Sequence, residues 1–269
     1  MRLSTRFSSS AKWLKHSVSV ACLGAGLLMG QVASATTVQF QTVMGDFEVN
    51  LFDKTTPETV KNFLAYVNAN AYTNTFIHRS VPGFVVQGGG YAFNGDFPIV
   101  TIAQNPKVVN EPVYSNLRGT IAMAKLGSDA NSATNQWFFN LTDNSANLDK
   151  QNGGFTVFGQ VTGNGMAIVD AIAALNRFNM GSPFDSIPLR NYTAEDNTND
   201  VEVTDENFVL IQNIVVLNGD PDTAASLNPT PNTLINKKDD DGGSGSMGLI
   251  SLLMLGLLAL GRKSLLNRK

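Results

Sequence analysis

Short runs of period-two alternation recur along this chain, and they limit what it can fold into. Val38, Phe40 and Thr42 alternate with polar neighbours, as do Phe47, Val49 and Leu51, and Met44-Gly45-Asp46 between them reads as a hairpin turn. Phe84-Val85-Val86, the apolar half of 118–125, Gln136 to Leu141, Phe155 to Val161 and Phe208 to Leu217 read as further strands. Helical spacing appears twice. Val60, Phe63, Leu64 and Val67 make one stripe behind Thr56-Pro57-Glu58, where Thr56 can cap, Pro57 suits the first turn and Glu58 meets the positive end of the dipole. Ile168, Ala171, Ile172 and Leu175 make the other, with Asn164 as its cap. Residues 91–117, with Pro98, Pro106 and Pro112, read as a long loop carrying one short strand. Residues 127–135 read as a polar loop and 176–207 as a polar connection. Many short strands with two well-separated helices point to an antiparallel barrel capped by helices.

The two ends of the chain have a different character. Arg2, Arg6, Lys12 and Lys15 precede the uncharged, mostly apolar run from Ser17 to Gly30, and Ala33-Ser34-Ala35 offers a cleavage site. Residues 1–35 therefore read as a secretory signal peptide cut after Ala35 by signal peptidase, since the run is too short to span a membrane. Cys22, the only cysteine, leaves with it, so no disulfide is expected in the mature chain. His16 leaves too, and a single remaining histidine, His78, excludes a multi-histidine metal site. No Gly-x-Ser-x-Gly elbow accompanies that histidine. Residues 36–241 hold 11 basic and 22 acidic residues, a net charge of −11. A body so acidic argues against nucleic acid or anionic lipid as a partner.

The chemistry concentrates in residues 75–90. Pro82-Gly83 marks a turn, Phe84 to Val86 a short strand, and Gly88-Gly89-Gly90 its end. The glycines are no phosphate loop, because no Gly-Lys-Ser/Thr follows. Arg79 and Gln87 flank the apolar strand, an arrangement suited to a pocket with an apolar floor and polar walls. Such a pocket fits a small apolar ring flanked by peptide groups.

The order of blocks FIHRSVPGFVVQGG (76–89), RGTIAMA (118–124), NSATNQWFF (131–139) and FTVFGQV (155–161) resembles the cyclophilins, the peptidyl-prolyl cis/trans isomerases that cyclosporin targets. The resemblance covers roughly residues 37–218, including the leading hairpin and helix at 42–67. It implies a closed eight-stranded antiparallel β-barrel with a helix over each end, isomerase activity without cofactor or metal, and a monomer. By resemblance Arg79, Phe84 and Gln87 form the catalytic set. His78, Val85, Ala124, Gln136, Phe138, Leu148 and Phe155 hold the substrate, with Phe84, Val85, Phe138 and Leu148 as the proline socket. Gln136 orients Arg79, and His78 supports the site's edge. The partners implied are proline-containing polypeptides. A non-catalytic cyclophilin-like module or chaperone that only holds such segments is the alternative. A surface adhesin would leave the constellation of Arg79, Phe84, Gln87 and Phe138 unexplained.

Several positions depart from the family pattern. Phe76-Ile77 precedes His78 where Phe is usually adjacent, and Val85 replaces a common methionine. Asn147 stands where many members carry tryptophan, Lys125 where they carry Asn, and Phe155 where they carry His. The expectation is weak cyclosporin inhibition with isomerase activity retained.

Residues 220–246, rich in Pro, Asn, Thr and Asp and ending in a Gly-Gly-Ser-Gly-Ser run, read as a flexible solvated linker. Asp239-Asp240-Asp241 reads as a solvating run rather than a calcium site. Met247 to Gly261 is apolar, and Arg262, Lys263, Arg268 and Lys269 end the chain. This order resembles the glycine-glycine sorting tags of Gram-negative bacteria, cut by a rhomboid-type protease. A permanent anchor is the alternative, and either way the basic end stays cytoplasmic. The expected organisation is a signal peptide (1–35), an isomerase domain (36–219), a linker (220–246) and a tag or anchor (247–269). The expected location is the cell envelope, tethered to the inner membrane on its outer side, with release or surface display after cleavage.

Overall fold

The computed structural model describes residues 36–95, 99–219 and 227–237. The signal segment, the glycine pair and the apolar C-terminal segment lie outside the described residues. Among the described residues no helix is long and apolar enough to cross a membrane.

The first half of the chain carries β1 (Thr37–Thr42), β2 (Phe47–Leu51), α1 (Pro57–Asn68), β3 (Thr75–Phe76), β4 (Arg79–Val81), β5 (Val85–Gly88), β6 (Tyr91–Ala92) and β7 (Val100–Thr101). Then come β8 (Thr120–Met123), β9 (Trp137–Asn140), α2 (Ser145–Leu148), a 3-10 turn (Gln151–Gly153), β10 (Val157–Val161) and α3 (Gly165–Ala173). A small hairpin, β11 (Arg177–Phe178) with β12 (Ile187–Pro188), the short α4 (Ala194–Thr198) and the long β13 (Leu210–Asn218) complete it.

The closed eight-stranded barrel is corrected. Eleven strands form one antiparallel sheet in the order β4-β5-β9-β8-β10-β2-β1-β13-β3-β6-β7, an open ladder rather than a closed ring of eight. The reason lies in Ile77-His78, which interrupts what would be one strand. Ile77 N–H donates to Val209 O and His78 N–H to Gln87 O, so the chain crosses there from one part of the sheet to another. β3 therefore pairs with β13 and β4 with β5. The fold is mainly β, with a curled sheet and few helices.

Alternation along each strand divides the buried residues. Val86, Phe139 and Ile121 lie opposite one another on β5, β9 and β8 and point into the main core with Trp137, Phe40, Phe63 and Phe158. Burying each such side chain contributes about 1.5–3 kcal/mol. Phe40 sits edge-on to Trp137 at 5.2 Å. Helix α1 covers this core with Val60, Phe63, Tyr66 and Val67, and α3 with Val169 and Ile172. Ala171, expected on the inner stripe, is exposed.

Neither expected cap forms. Thr56 donates its hydroxyl to Phe52 O at 3.1 Å, and neither it nor Asn164 makes a side-chain cap. The start of α1 is instead capped by Glu111, whose carboxylate accepts from Glu58 N at 3.3 Å and Thr59 N at 2.9 Å. A carboxylate there serves both the free N–H groups and the dipole. The polar connection 176–207 is also corrected. Phe178, Phe184, Ile187, Leu189 and Tyr192 pack with Phe76, Tyr91, Phe93 and Phe208 in a separate cluster. Residues 227–237, read from composition as part of a solvated linker, pair with residues 113–115, with Ser115 N–H donating to Thr230 O and Asn232 N–H to Val113 O.

Candidate active site

The face of the sheet opposite the main core carries a row of side chains across five strands. Arg79 on β4 pairs with Gln87 on β5, Gln87 with Phe138 on β9, Phe138 with Ala122 on β8, and Ala122 with Val157 on β10. Cross-strand partners share a face, so one end of the row is polar and the other apolar. Val85, two residues before Gln87, falls on the same side. Phe84, Val85, Ala122, Ala124, Phe138, Leu148, Phe155, Val157 and Phe52 form one apolar cluster, with Phe138 and Phe155 edge-to-face at 5.9 Å.

Phe84 precedes β5 rather than belonging to it. Its N–H closes a turn on Val81 O at 3.0 Å, with Gly83 at φ +64°. Its carbonyl accepts from Leu141 N–H at 2.9 Å and from Asn144 Nδ2 at 3.0 Å. Leu148 and Phe155 stand at the two ends of a loop closed by Phe155 N–H donating to Leu148 O at 2.8 Å. The Ala124 N–H is engaged by Gln136 O at 2.9 Å. The expected site residues therefore fall into an apolar group and a polar group that meet at the Gln87–Phe138 pair.

The polar group is a relay. Arg79 Nη1 donates to Gln87 Oε1 at 3.2 Å, and Gln87 Nε2 donates to Gln136 Oε1 at 2.9 Å. Gln136 in turn hydrogen-bonds His78. Gly90 makes room for this, since a Cβ there would lie 2.7 Å from Gln136 Nε2. Gln136 thus reaches Arg79 through Gln87 rather than directly. Arg79 Nη2 is buried and has no hydrogen-bond partner among the described residues. Burial pushes this guanidinium down to about 10, against an opposing pull from Asp185, so it stays charged at neutral pH. Burial first and the Arg79 charge second push His78 down to about 3, despite the bond to Gln136. His78 is therefore neutral, edge-on to Tyr91 at 4.9 Å, and unsuited to acid–base work.

Three features were not found by sequence reasoning. Asn144 holds the Phe84 carbonyl, yet a lone Asn in a polar loop gives no local signal. Asp185 and the paired Ser186 lie beside β4, with Ser80 N–H donating to Ser186 O at 2.8 Å, and their segment reads as a connection. Lys125, seen only as a departure from a pattern, sits 4.8 Å over the Phe155 ring with its Nζ donating to Asn152 O and Gly154 O. Burial lowers its pKa to about 8. Among the described residues no group of three or more His, Cys, Asp or Glu could hold a metal ion.

The sequence pattern described as cyclophilin type peptidyl-prolyl cis-trans isomerase/CLD matches residues 37–194. The chain belongs to the cyclophilin-type isomerase family. It is 41% identical over 161 residues to peptidyl-prolyl cis-trans isomerase A of Dickeya dadantii, covering 58% of this chain and 80% of that protein. It is 39% identical over 158 residues to a peptidyl-prolyl cis-trans isomerase of Acinetobacter baylyi, covering 57% and 81%. A cyclophilin crystal structure from Cryptosporidium parvum aligns over 68% of this chain and 98% of its own, at TM-score 0.48 and 21% identity. In this cyclophilin the buried row from Arg79 to Val157 is the candidate site.

Proposed function

We propose that this chain is an exported prolyl isomerase that accelerates rotation about X-Pro bonds in proteins folding in the cell envelope or secreted from it. The reading rests on one observation: a buried cation with one nitrogen anchored on Gln87 and another without a partner among the described residues, next to the apolar cluster around Phe138.

The uncatalysed rotation has a barrier of roughly 20 kcal/mol, because resonance gives the C–N bond partial double-bond character. Rotation breaks that conjugation and leaves a lone pair on the prolyl nitrogen. Arg79 Nη2 donates to this lone pair, which accepts well only in the twisted state, so the bond strengthens as the barrier is climbed. Gln87 holds the guanidinium plane, which a flexible ammonium could not match. Phe84, Val85, Phe138, Leu148 and Phe155 grip the pyrrolidine ring while the chain before it turns. No proton is transferred, which suits the neutral His78.

The basic start, apolar run and Ala33-Ser34-Ala35 support export, with signal peptidase cutting after Ala35. The Gly242-Gly243, apolar and basic order supports a C-terminal tag that tethers the domain to the outer side of the inner membrane until a rhomboid-type protease cuts it. The mature protein acts as a monomer.

The test is isomerisation of an X-Pro peptide by the full chain beside Arg79→Ala. Removing one preorganised donor should slow turnover about 100-fold with the fold intact, the scale seen when an oxyanion donor is lost. A folded wild-type protein without turnover would leave only a proline-binding module.

A further inference from the structure

The loop from Leu148 to Phe155 carries two walls of the socket and is closed by its own backbone, with Phe155 N–H donating to Leu148 O at 2.8 Å and Gly154 N–H to Gln151 O at 2.9 Å. Asn152, Gly153 and Gly154 take φ values of 49°, 75° and 72°, three successive residues in the left-handed region. Further anchors come from outside the loop. Lys125 holds the carbonyls of Asn152 and Gly154. Asn116 donates from N and Nδ2 to Asp149 Oδ1 at 2.8 and 3.0 Å, and from Nδ2 to Phe155 O at 3.2 Å.

Asn110 Nδ2 donates to Gly153 O at 2.6 Å and to Gly154 O at 2.9 Å, and the segment 227–237 is a further anchor. Its pairing with residues 113–115 places Asn232 so that Nδ2 donates to Asp149 O at 2.9 Å. The Asn232 Oδ1 accepts from Leu234 N at 2.9 Å and Ile235 N at 3.1 Å, which folds the next turn back toward the loop. Ile235 then meets Gly154, where a Cβ would lie 3.1 Å from Ile235 Cδ1. Leu227 packs on the socket cluster itself. The segment therefore touches the loop at Asp149 and Gly154, each one residue inside the socket residues Leu148 and Phe155.

We propose that Asn232 and Ile235 are positioning residues for the prolyl socket, and that 227–237 is a strap belonging to the active site. The catalytic consequence rests on the isomerase reading above; the effect on the loop does not. The strap precedes Gly242-Gly243 in the sequence, so cutting at the glycine pair leaves it attached to the domain. The linker composition is then a consequence of short polar residues serving as turn and pairing partners rather than of solvation.

The experiment compares the full chain with its Asn232→Ala/Ile235→Ala double variant by hydrogen exchange and by steady-state kinetics on proline peptides. Exchange across 148–155 should quicken by about tenfold while β9 stays protected, because only the loop has lost one of its anchors. KM should rise about three- to tenfold with kcat within about twofold, the signature of weakened binding common to ground and transition states. Unchanged exchange at 148–155 overturns the proposal. So does a rise equal in β9, which would make the strap a support of the whole sheet, and so does a lower KM, which would make it a competitor of substrate. If the wild type shows no turnover, the isomerase reading fails and the exchange data alone decide the strap.

Discussion

Acidification should weaken this protein through one imidazole. His78 is 1% exposed, its Nδ1 has no hydrogen-bond partner among the described residues, and a guanidinium follows it in sequence. Burial first, then Arg79, hold its pKa near about 3 against the raising effect of Gln136. In the unfolded chain a histidine titrates near about 6.5. For a basic group lowered in this way the folded state binds fewer protons than the unfolded state between those values. Stability is therefore unaffected above pH 6.5 and falls as the pH drops through the window. From pH 7 to pH 5 the loss integrates to about 2 kcal/mol, and across the whole window to about 5 kcal/mol. Carboxylates titrate over part of the same range, so the comparison needs His78→Gln, which keeps a polar side chain that cannot gain the charge. Urea unfolding followed by circular dichroism gives the free energies at both pH values. The wild type should lose about 2 kcal/mol more than the variant. Equal losses in the two proteins would mean that the buried ring accepts a proton in the folded state, and would refute the argument.

Other perturbations have separable outcomes. Gly89 has φ +81°, and a Cβ there would lie 2.6 Å from Trp137 Nε1 and 2.7 Å from Asn135 O. Gly89→Ala should cost about 2–4 kcal/mol in thermal or urea unfolding, and a loss under about 1 would show that the glycine run has slack. Glu111→Ala leaves the first N–H groups of α1 without their carboxylate and should cost about 1 kcal/mol, while Glu111→Gln should cost less because an acceptor remains; equal losses would deny any part to the neutral acceptor and leave the whole effect to the charge. Cyclosporin should inhibit weakly, because Lys125 over Phe155, Val85 and Asn147 reshape the socket rim; a low-nanomolar inhibition constant contradicts this.

Local pattern carried the parts of the fold that local physics decides. The alternation that puts Val85 and Gln87 on one face of β5 and Val86 on the other is visible in the residues, and so is the stripe from Val60 to Val67. The sequence runs that carry the candidate site residues could be singled out because each is short and contiguous, whereas their meeting in one row across β4, β5, β9, β8 and β10 could not be read from them. Features made by distant pairing were not legible. Glu111 caps a helix that begins more than fifty residues earlier in the chain, and Thr56, the nearer candidate, uses its hydroxyl elsewhere. The break at Ile77-His78 follows from two partners on different strands, which no periodicity records. The residues around Phe184 and Ile187 looked polar because their apolar members are spread among turn formers, yet they pack on Tyr91 and Phe76. The strap was hidden for the same reason: Asn232 is a linker residue by composition and a loop anchor by position.

The central claim is that catalysis needs a planar cation with one nitrogen fixed by Gln87 and a second free to meet the prolyl nitrogen. Arg79→Lys tests it most directly, because it keeps the charge and removes the fork. Turnover of an X-Pro peptide by the folded lysine variant should fall by at least about tenfold, a loss of about 1.4 kcal/mol or more of transition-state stabilisation. Turnover within about twofold of wild type would show that charge alone suffices, and would contradict the account.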